Sequence, residues 1–536
     1  MASLATQLIT VSIIALQRQL THNNAANREQ WNTNYDYIVV GAGSAGAIVA
    51  ARLTEDPNIS VLLLEAGGPA TVISDMPAEA WNGMTGENDW GYLTVPQRNA
   101  GWAYINNRIV YPRGKVMGGS STTNYAIYNR GNRLDFDNWA NYYGLTEWSY
   151  QNVLPYFLRS EHNYNDKYVR NSPQTHSTTG PMAISSPPHP DPILLHYMDA
   201  WNNAGVPYTD FNGPNQPGTT LIQQAISPNN WTRSSTTNAF IEPIITSRAN
   251  SLHVVTRAHV TRLLFNNNTA NGLQAAGVEF VRRGQTYSVY ARREVILSAG
   301  ATNTPQILIL SGIGPRSHLQ DLGIPVQVDL PVGENLQDHI LLPTDYLVNN
   351  ASDIQYSRNI DGILTVQNLY NYYVNNEGPI IQLPVVLTYH STRGNDNPAW
   401  PDSVMATLTD QIGPEVLALI PGMNNQPQWT EYYTPLLNDQ RHFYVYYAIY
   451  RPRSRGTVRL QSRNPFDAPL IDPAYFTDPY DLAVAVDVLS AGMSMAEGDY
   501  FRRYGRIYDR PLPGCAPCTD GRPYYQCYTY LACVAR

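Results

Sequence analysis

The feature that most limits what this chain can fold into lies between Tyr35 and Glu65. There a buried-strand pattern, a glycine loop, a helical pattern and a second strand follow one another, within the roughly 30 residues of a βαβ crossover. Tyr35 to Val40 (YDYIVV) is β-branched and aromatic, with Asp36 its one charge, as expected of a strand covered on both faces of a parallel sheet. Gly41, Gly43 and Gly46 follow as Gly-x-Gly-x-x-Gly. Ser44 to Leu53 then carries Ala, Ile and Val at helical spacing, and Val61 to Leu64 leads to Glu65. Each position has a physical job: Gly41 permits the tight turn, Gly43 removes the side chain that would block a pyrophosphate, and Gly46 lets helix and strand pack closely. Ser44 and Ala45 open the helix, whose unpaired amides and positive dipole end attract phosphates. Glu65, nineteen residues past Gly46 with Ala66 beside it, is placed to accept hydrogen bonds from the adenosine ribose hydroxyls. A carboxylate there repels a 2′-phosphate and disfavours NADP. A lone glycine triplet also marks ordinary turns, and the weight here comes from strand, helix, second strand and acid in register. This unit defines a dinucleotide site without choosing between NAD and FAD.

The 536 residues, 43% of them hydrophobic, supply core for two to four domains' worth of structure. A net charge of −8 with 15% charged residues leaves no basic stripe for a phosphate backbone, which argues against nucleic acid as a partner. Tyr (38) outnumbers Phe (10), and a ring with a hydroxyl suits wet clefts. No run reaches the roughly 20 apolar residues of a transmembrane helix. Residues 1–34 read as an N-terminal leader, with Leu4 to Leu16 either a signal-peptide core or an amphipathic segment. Cys515, Cys518, Cys527 and Cys533 all fall in the last 22 residues. Cys515-Ala-Pro-Cys518 has the spacing of half a zinc site or a redox pair, but no His or acidic ligand pattern adjoins it, which favours two local disulfides and no metal. Sequons at Asn230, Asn267 and Asn350 agree with the secretory route, although Asn-rich sequences produce such triplets by chance. An extracellular location is expected.

Two later segments choose the cofactor. Pro112 to Gly131 reads PRGKVMGGSSTTNYAIYNRG, and Gly300 to Gly314 reads GATNTPQILILSGIG; Pro331-Val-Gly-Glu-Asn-Leu-Gln-Asp-His339 lies beyond. In this order, and with the unit at Tyr35, they resemble the signatures of the glucose-methanol-choline (GMC) oxidoreductases, with Thr123 where that family usually has an aliphatic residue. The resemblance runs from about Tyr35 to the C-terminus and implies FAD. It places Val116, Gly118, Gly119 and Ser120 along the flavin and pyrophosphate, Asn124 at the isoalloxazine edge, Ala299 and Gly300 beside the cofactor, and Val260, with Val254 to Thr256, near adenine. The residue chemistry agrees, because Gly118-Gly119-Ser120-Ser121 offers backbone amides and hydroxyls without Cβ clashes, an anion nest. Apolar and aromatic flanks argue against a flexible Gly-Ser linker. The implied fold is α/β: a Rossmann-like FAD-binding domain with a parallel sheet, residues 35–160 and 215–345, plus a substrate domain with an antiparallel sheet and covering helices, residues 161–214 and 346–514, then a Cys-containing segment at 515–536. Within the second domain, His442 to Tyr450 and Gly456 to Leu460 alternate like antiparallel strands. The Asn-, Pro-, Ser- and His-rich stretch 163–218 reads as extended loop.

Oxidising an alcohol by hydride transfer requires a base for the hydroxyl proton. In the family that base is a histidine in a His-Pro-x-Gly-Thr segment near the C-terminus, and none of the eleven histidines of this chain stands in such a setting. His189-Pro190 is followed by Asp191-Pro192, and His339 belongs to the cofactor-domain element. The catalytic residues are therefore unassigned and expected beyond Arg536. The chain reads as C-terminally truncated, unable to complete the reaction and weakened in FAD binding. The function implied is an FAD-dependent oxidoreductase of the glucose-dehydrogenase-like branch. It would act on the CH–OH group of an alcohol or sugar and pass electrons to a quinone, dye or oxygen. A hydroxynitrile lyase or cyanohydrin oxidase of the same family, and an inactive fragment, are the alternatives.

Overall fold

The computed structural model describes residues 1–536 apart from 1–2, 27, 85, 270–271, 355–357, 412–422 and 438–440. In chain order, the elements that position the site begin with helix α1 (Leu4–Ala26), strand β1 (Asn34–Val40), α2 (Ser44–Leu53), β2 (Val61–Leu64), α3 (Pro192–Asn203) and β3 (Gly218–Leu221). They continue with β4 (Leu252–Val255), β5 (His259–Thr269), β6 (Gly272–Arg282), β7 (Gln285–Leu297), α4 (Gly300–Leu310) and β8 (Ile340–Val348). The last are β9 (Val385–His390), β10 (Ser403–Leu408), β11 (His442–Ile449), α5 (Pro479–Ala496), β12 (Gly505–Ile507) and α6 (Tyr528–Ala535).

The apolar run at Tyr35 becomes the centre of a six-stranded sheet of order β4-β2-β1-β7-β6-β5. Ile38, Val39 and Val40 pair in parallel with Val295, Ile296 and Leu297 on one side and with Leu62, Leu63 and Leu64 on the other. Both faces are covered, which is why the strand shows no polar alternation. Val39, Val61 and Leu63 pack with Ala47 and Ala50 of α2. Ile38, Val40 and Leu62 pack on the opposite face with Phe280 and Ile307. Beyond β7 the sheet turns antiparallel through β6 and β5.

A second six-stranded sheet, β12-β8-β11-β10-β9-β3, is antiparallel throughout. Tyr346, Met405, Phe443, Val445 and Tyr447 fill one face, beneath α3 and α5. Leu347, Tyr389, Val404 and Tyr444 lie on the other, in one cluster with Tyr125 and Ile127. That face therefore meets the chain immediately after Asn124.

Two details differ from the sequence reading. Strand β3 and the start of β8 belong to this antiparallel sheet, although the resemblance places 215–345 in the cofactor domain. The buried side chains of β3 are polar, Thr219 bonding Thr388 across the strands (Oγ1 to Oγ1, 2.9 Å), so no apolar alternation betrays the strand. Within the stretch read as loop, Pro192 opens the twelve-residue helix α3, which buries Ile193, Leu194, Tyr197 and Trp201. Proline suits a first turn, where its missing amide would be unpaired in any case. In the segment read as a leader, Leu4–Ala26 forms the single helix α1, which docks on the parallel-sheet domain: Ala25 and Ala26 join the Val39 cluster, and Arg18 and His22 reach Asp75. No described helix is long and apolar enough to cross a membrane. The cysteines form nested disulfides, Cys515–Cys533 and Cys518–Cys527, the local pairing that the sequence favours over a zinc site. Asn230 and Asn350 of the sequons are exposed, while the side chains of the Asn267 triplet lie outside the described residues.

Candidate cofactor site

At the carboxyl ends of β1 and β7 three loops meet through their backbones. A Cβ on Gly41 would lie 2.5 Å from the carbonyl oxygen of Ser298, and one on Gly46 would lie 1.9 Å from the carbonyl oxygen of Gly41. Helix α2 can start against its own turn only because both side chains are missing. Gly43 differs, since the nearest heavy atom to its Cβ position is the Cα of Gly119, 3.7 Å away. There the missing side chain leaves space between two glycine loops. The amide of Gly118 donates to the carbonyl of Ala42 (2.9 Å), tying the loops together. No side chain caps α2 at Gly43, and Ser44 and Ala45 are exposed. The orphan amides of the first turn therefore face an open space. These are the features a diphosphate requires, so the residues present fit the cofactor. Ala299, half-buried, and Gly300, exposed, head α4 on the opposite side.

Glu65 closes the other end. Its carboxylate is buried and accepts the amides of Ala42 (2.8 Å) and Gly67 (2.8 Å). Burial pushes the carboxyl up to about 7, against the opposing pull of these amides and of Lys115. Each oxygen keeps a further lone pair, so Glu65 can brace the turn and accept ribose hydroxyls together. The amides of Arg257 and Ala258 donate to the carbonyls of Gly67 and Glu65 (2.8 Å each). This lacing brings the start of β5, with the buried Val260, to the Glu65 end, with half-buried Ala66 alongside.

The second loop is fixed from within. Val116 is fully buried and bridges Gly68. Ser120 Oγ accepts the amide of Gly114 (3.1 Å), and Ser121 Oγ donates to the carbonyl of Gly118 (2.6 Å). Asn124 is exposed, its Oδ1 accepting the Ala126 amide (2.9 Å) and Arg233 Nη1 (2.9 Å). The structure thus brings Gly41–Gly46, Gly118–Ser120 and Ala299 together at the ends of β1 and β7, with Asn124 following the second loop and Glu65 and Val260 laced to the first turn. Sequence reasoning missed Gly67, where a Cβ would meet the Lys115 carbonyl at 1.9 Å; the glycine doublet after Glu65 was the available signal. It also missed Arg233, which no local motif marks.

The histidines are engaged in other work. His22 and His176 sit in carboxylate pairs, His253 bonds the Tyr35 hydroxyl (2.7 Å), and His259 Nε2 donates to the Pro465 carbonyl (3.1 Å). His339 stacks on Tyr450 at 4.6 Å, and burial lowers its pKa.

Comparison with known proteins agrees with this geometry. The amino-terminal GMC oxidoreductase family model matches residues 35–341 and the carboxy-terminal one residues 452–520. Glucose dehydrogenase [FAD, quinone] of Drosophila melanogaster is 31% identical over 520 residues, 93% of this chain and 76% of its own length. Ecdysone oxidase of Bombyx mori is 31% identical over 518 residues, covering 95% and 73%. An oxygen-dependent choline dehydrogenase of Burkholderia ambifaria is 40% identical over 321 residues, 58% of this chain and 53% of its own. Among solved structures, pyridoxine 4-oxidase from Mesorbium loti superposes with a TM-score of 0.73 at 25% identity over 93% of this chain and 86% of its own. A formate oxidase variant of Aspergillus oryzae shares the fold with a TM-score of 0.77 at 24% identity, over 94% and 87%. The chain belongs to the GMC oxidoreductase family, and FAD is its cofactor.

Proposed function

We propose that the protein oxidises the CH–OH group of a small alcohol or sugar. The observation that carries this reading is the tyrosine-rich face of the antiparallel sheet: Tyr389, Tyr444, Tyr446 and Tyr450 share a cluster with Tyr125 and Ile127, directly after Asn124. A wall of aromatic rings bearing hydroxyls beside the cofactor loop suits a substrate with both C–H faces and hydroxyl groups. Tyr389 already accepts a hydrogen bond from Asn129 Nδ2 (2.8 Å), which fixes its phenol.

Bound FAD supplies the hydride acceptor. The chain's own residues bind and orient: the Gly43–Ala45 amides hold the diphosphate, Glu65 the ribose, Gly118–Ser120 and Asn124 the flavin side, and Val260 the adenine end. Hydride transfer also needs a base for the hydroxyl proton. No histidine of residues 1–536 stands in a His-Pro-x-Gly-Thr setting, so the base is left unassigned. Relatives named for glucose, ecdysone and choline differ in substrate; the class, not the identity, is proposed. The electron acceptor is a quinone, a dye or oxygen. Two disulfides support an extracellular location.

Anaerobic mixing of the FAD-loaded protein with a panel of alcohols and sugars tests the reading. Bleaching of the oxidised-flavin band is expected. A flavin that stays oxidised with every substrate yet is reduced by dithionite contradicts it, and cyanide release from mandelonitrile without bleaching would replace oxidation by lysis.

A further inference from the structure

Arg233 ends the short hairpin Ile226–Ser227 and Thr232–Arg233, and only 2% of it is exposed. Its amide donates to the carbonyl of Asp75 (2.8 Å) and its Nε to the carbonyl of Ser74 (2.8 Å). Nη1 donates to Asn124 Oδ1 (2.9 Å) and approaches the Ser121 carbonyl (3.4 Å). Among the described residues no carboxylate lies within 4.0 Å of this guanidinium. Burial lowers its pKa to about 10, so it remains a cation at neutral pH. A buried cation held only by carbonyl and amide oxygens is costly, and it stands directly beneath the loop that the resemblance places along the flavin.

The consequence falls on Asn124. A carboxamide has one oxygen that accepts and one nitrogen that donates. Here the oxygen is claimed twice, by the Ala126 amide and by Arg233, and both partners are obligate donors. A flipped carboxamide would set NH2 against guanidinium, so a single orientation remains. In it Nδ2 is free of the loop, on an exposed residue. The support continues outward, because Asp75 accepts Arg18 Nε (2.6 Å) and His22 Nε2 (2.9 Å) from α1.

We propose that Arg233 is a positioning residue for the cofactor, locking the Asn124 carboxamide so that its Nδ2 donates to a carbonyl or ring-nitrogen acceptor of the flavin. This rests on the reading that Asn124 edges the flavin, and the variants separate the two claims. FAD dissociation constants are measured by quenching of flavin fluorescence, alongside thermal melts of the apo-proteins, for the full chain carrying Asn124→Ala, Asn124→Asp, Arg233→Lys or Arg233→Met. Asn124→Asp keeps an acceptor for Arg233 but replaces the outward donor. It should melt no lower than the wild type in the apo form, since a carboxylate then faces the buried guanidinium, yet bind FAD about tenfold or more weakly, the size expected of a lost hydrogen bond facing a like-signed acceptor. Arg233→Lys should weaken FAD by a factor similar to that for Asn124→Ala, because the anchor is lost while the charge is kept. Wild-type FAD affinity in Asn124→Ala removes the reading of Asn124 itself. Weak binding in Asn124→Ala with wild-type affinity in Arg233→Lys overturns the role of Arg233 alone. Should both Arg233 variants fail to fold, Asn124→Asp decides: wild-type affinity overturns the proposal, and weak binding with an apo melt no lower than that of the wild type supports it.

Discussion

Raising the pH should release helix α1 from the parallel-sheet domain. His22 is buried, with Nε2 2.9 Å from Asp75 Oδ2 and Nδ1 2.6 Å from Glu242 Oε1. Both ring nitrogens face carboxylates, so both must donate and the ring must be an imidazolium. Burial opposes the charge, but the hydrogen bonds to Asp75 and Glu242 outweigh it and raise the pKa from 6.5 to about 9. Arg18 is the other cation on Asp75, and Tyr372 and Tyr373 face the same carboxylate. The folded-state pKa lies above the unfolded one, so the stabilisation is fully present below about 6.5 and is lost as the pH rises through about 9. A shift of that size corresponds to about 3 kcal/mol, or about a hundredfold or more in the opening equilibrium. Amide hydrogen exchange in α1, measured for wild type and His22→Gln side by side, removes the intrinsic pH dependence of exchange. The variant should exchange roughly a hundredfold faster near pH 6.5, with the two rates converging above pH 9. A ratio independent of pH would refute the charged-clasp argument.

Further outcomes follow from the same contacts. Gly46→Ala places a Cβ 1.9 Å from the Gly41 carbonyl oxygen and should destabilise by about 3 kcal/mol or more, read by denaturant unfolding. In Glu65→Gln an NH2 must face the amide of Ala42 or Gly67, leaving a buried donor unpaired at about 1–3 kcal/mol and weakening FAD in a binding titration. Cys515→Ser removes the disulfide spanning 18 residues; the loss should be about 3 kcal/mol, with chymotryptic cleavage concentrated after residue 514, where Tyr524, Tyr525 and Tyr528 lie.

Legibility in the sequence followed how local the causes were. The βαβ unit was readable because every reason for it, strand hydrophobicity, glycine spacing and helix periodicity, lies within one short segment. Helix α2 spans Ser44–Leu53 and strand β2 spans Val61–Leu64 as the pattern implies. The later loops were recognisable by resemblance, and the close approach of Gly119 to Gly43 supplies the physical reason for their glycines. Strand β3 was invisible because its burial is satisfied by a threonine pair instead of apolar alternation. Helix α3 was hidden by Pro192, which signals a loop unless it stands in a first turn. Arg233 could not be found locally, since its partners Ser74, Ser121 and Asn124 come from two distant segments. The docking of α1 through His22 depends on Asp75 and Glu242 in the same way.

The central claim is that the space opened at Gly43, between the α2 terminus and the Gly118–Asn124 loop, holds FAD. Titration of the apo-protein with FAD, followed by quenching of flavin fluorescence, tests it most directly when Gly43→Val is titrated beside the wild type. The account expects saturable, stoichiometric quenching in the wild type and its loss in Gly43→Val, with the variant's apo melt showing that it folds; the Gly43 Cβ itself meets only the Gly119 Cα, 3.7 Å away. Equal quenching in a folded Gly43→Val, or none in the wild type, would contradict it.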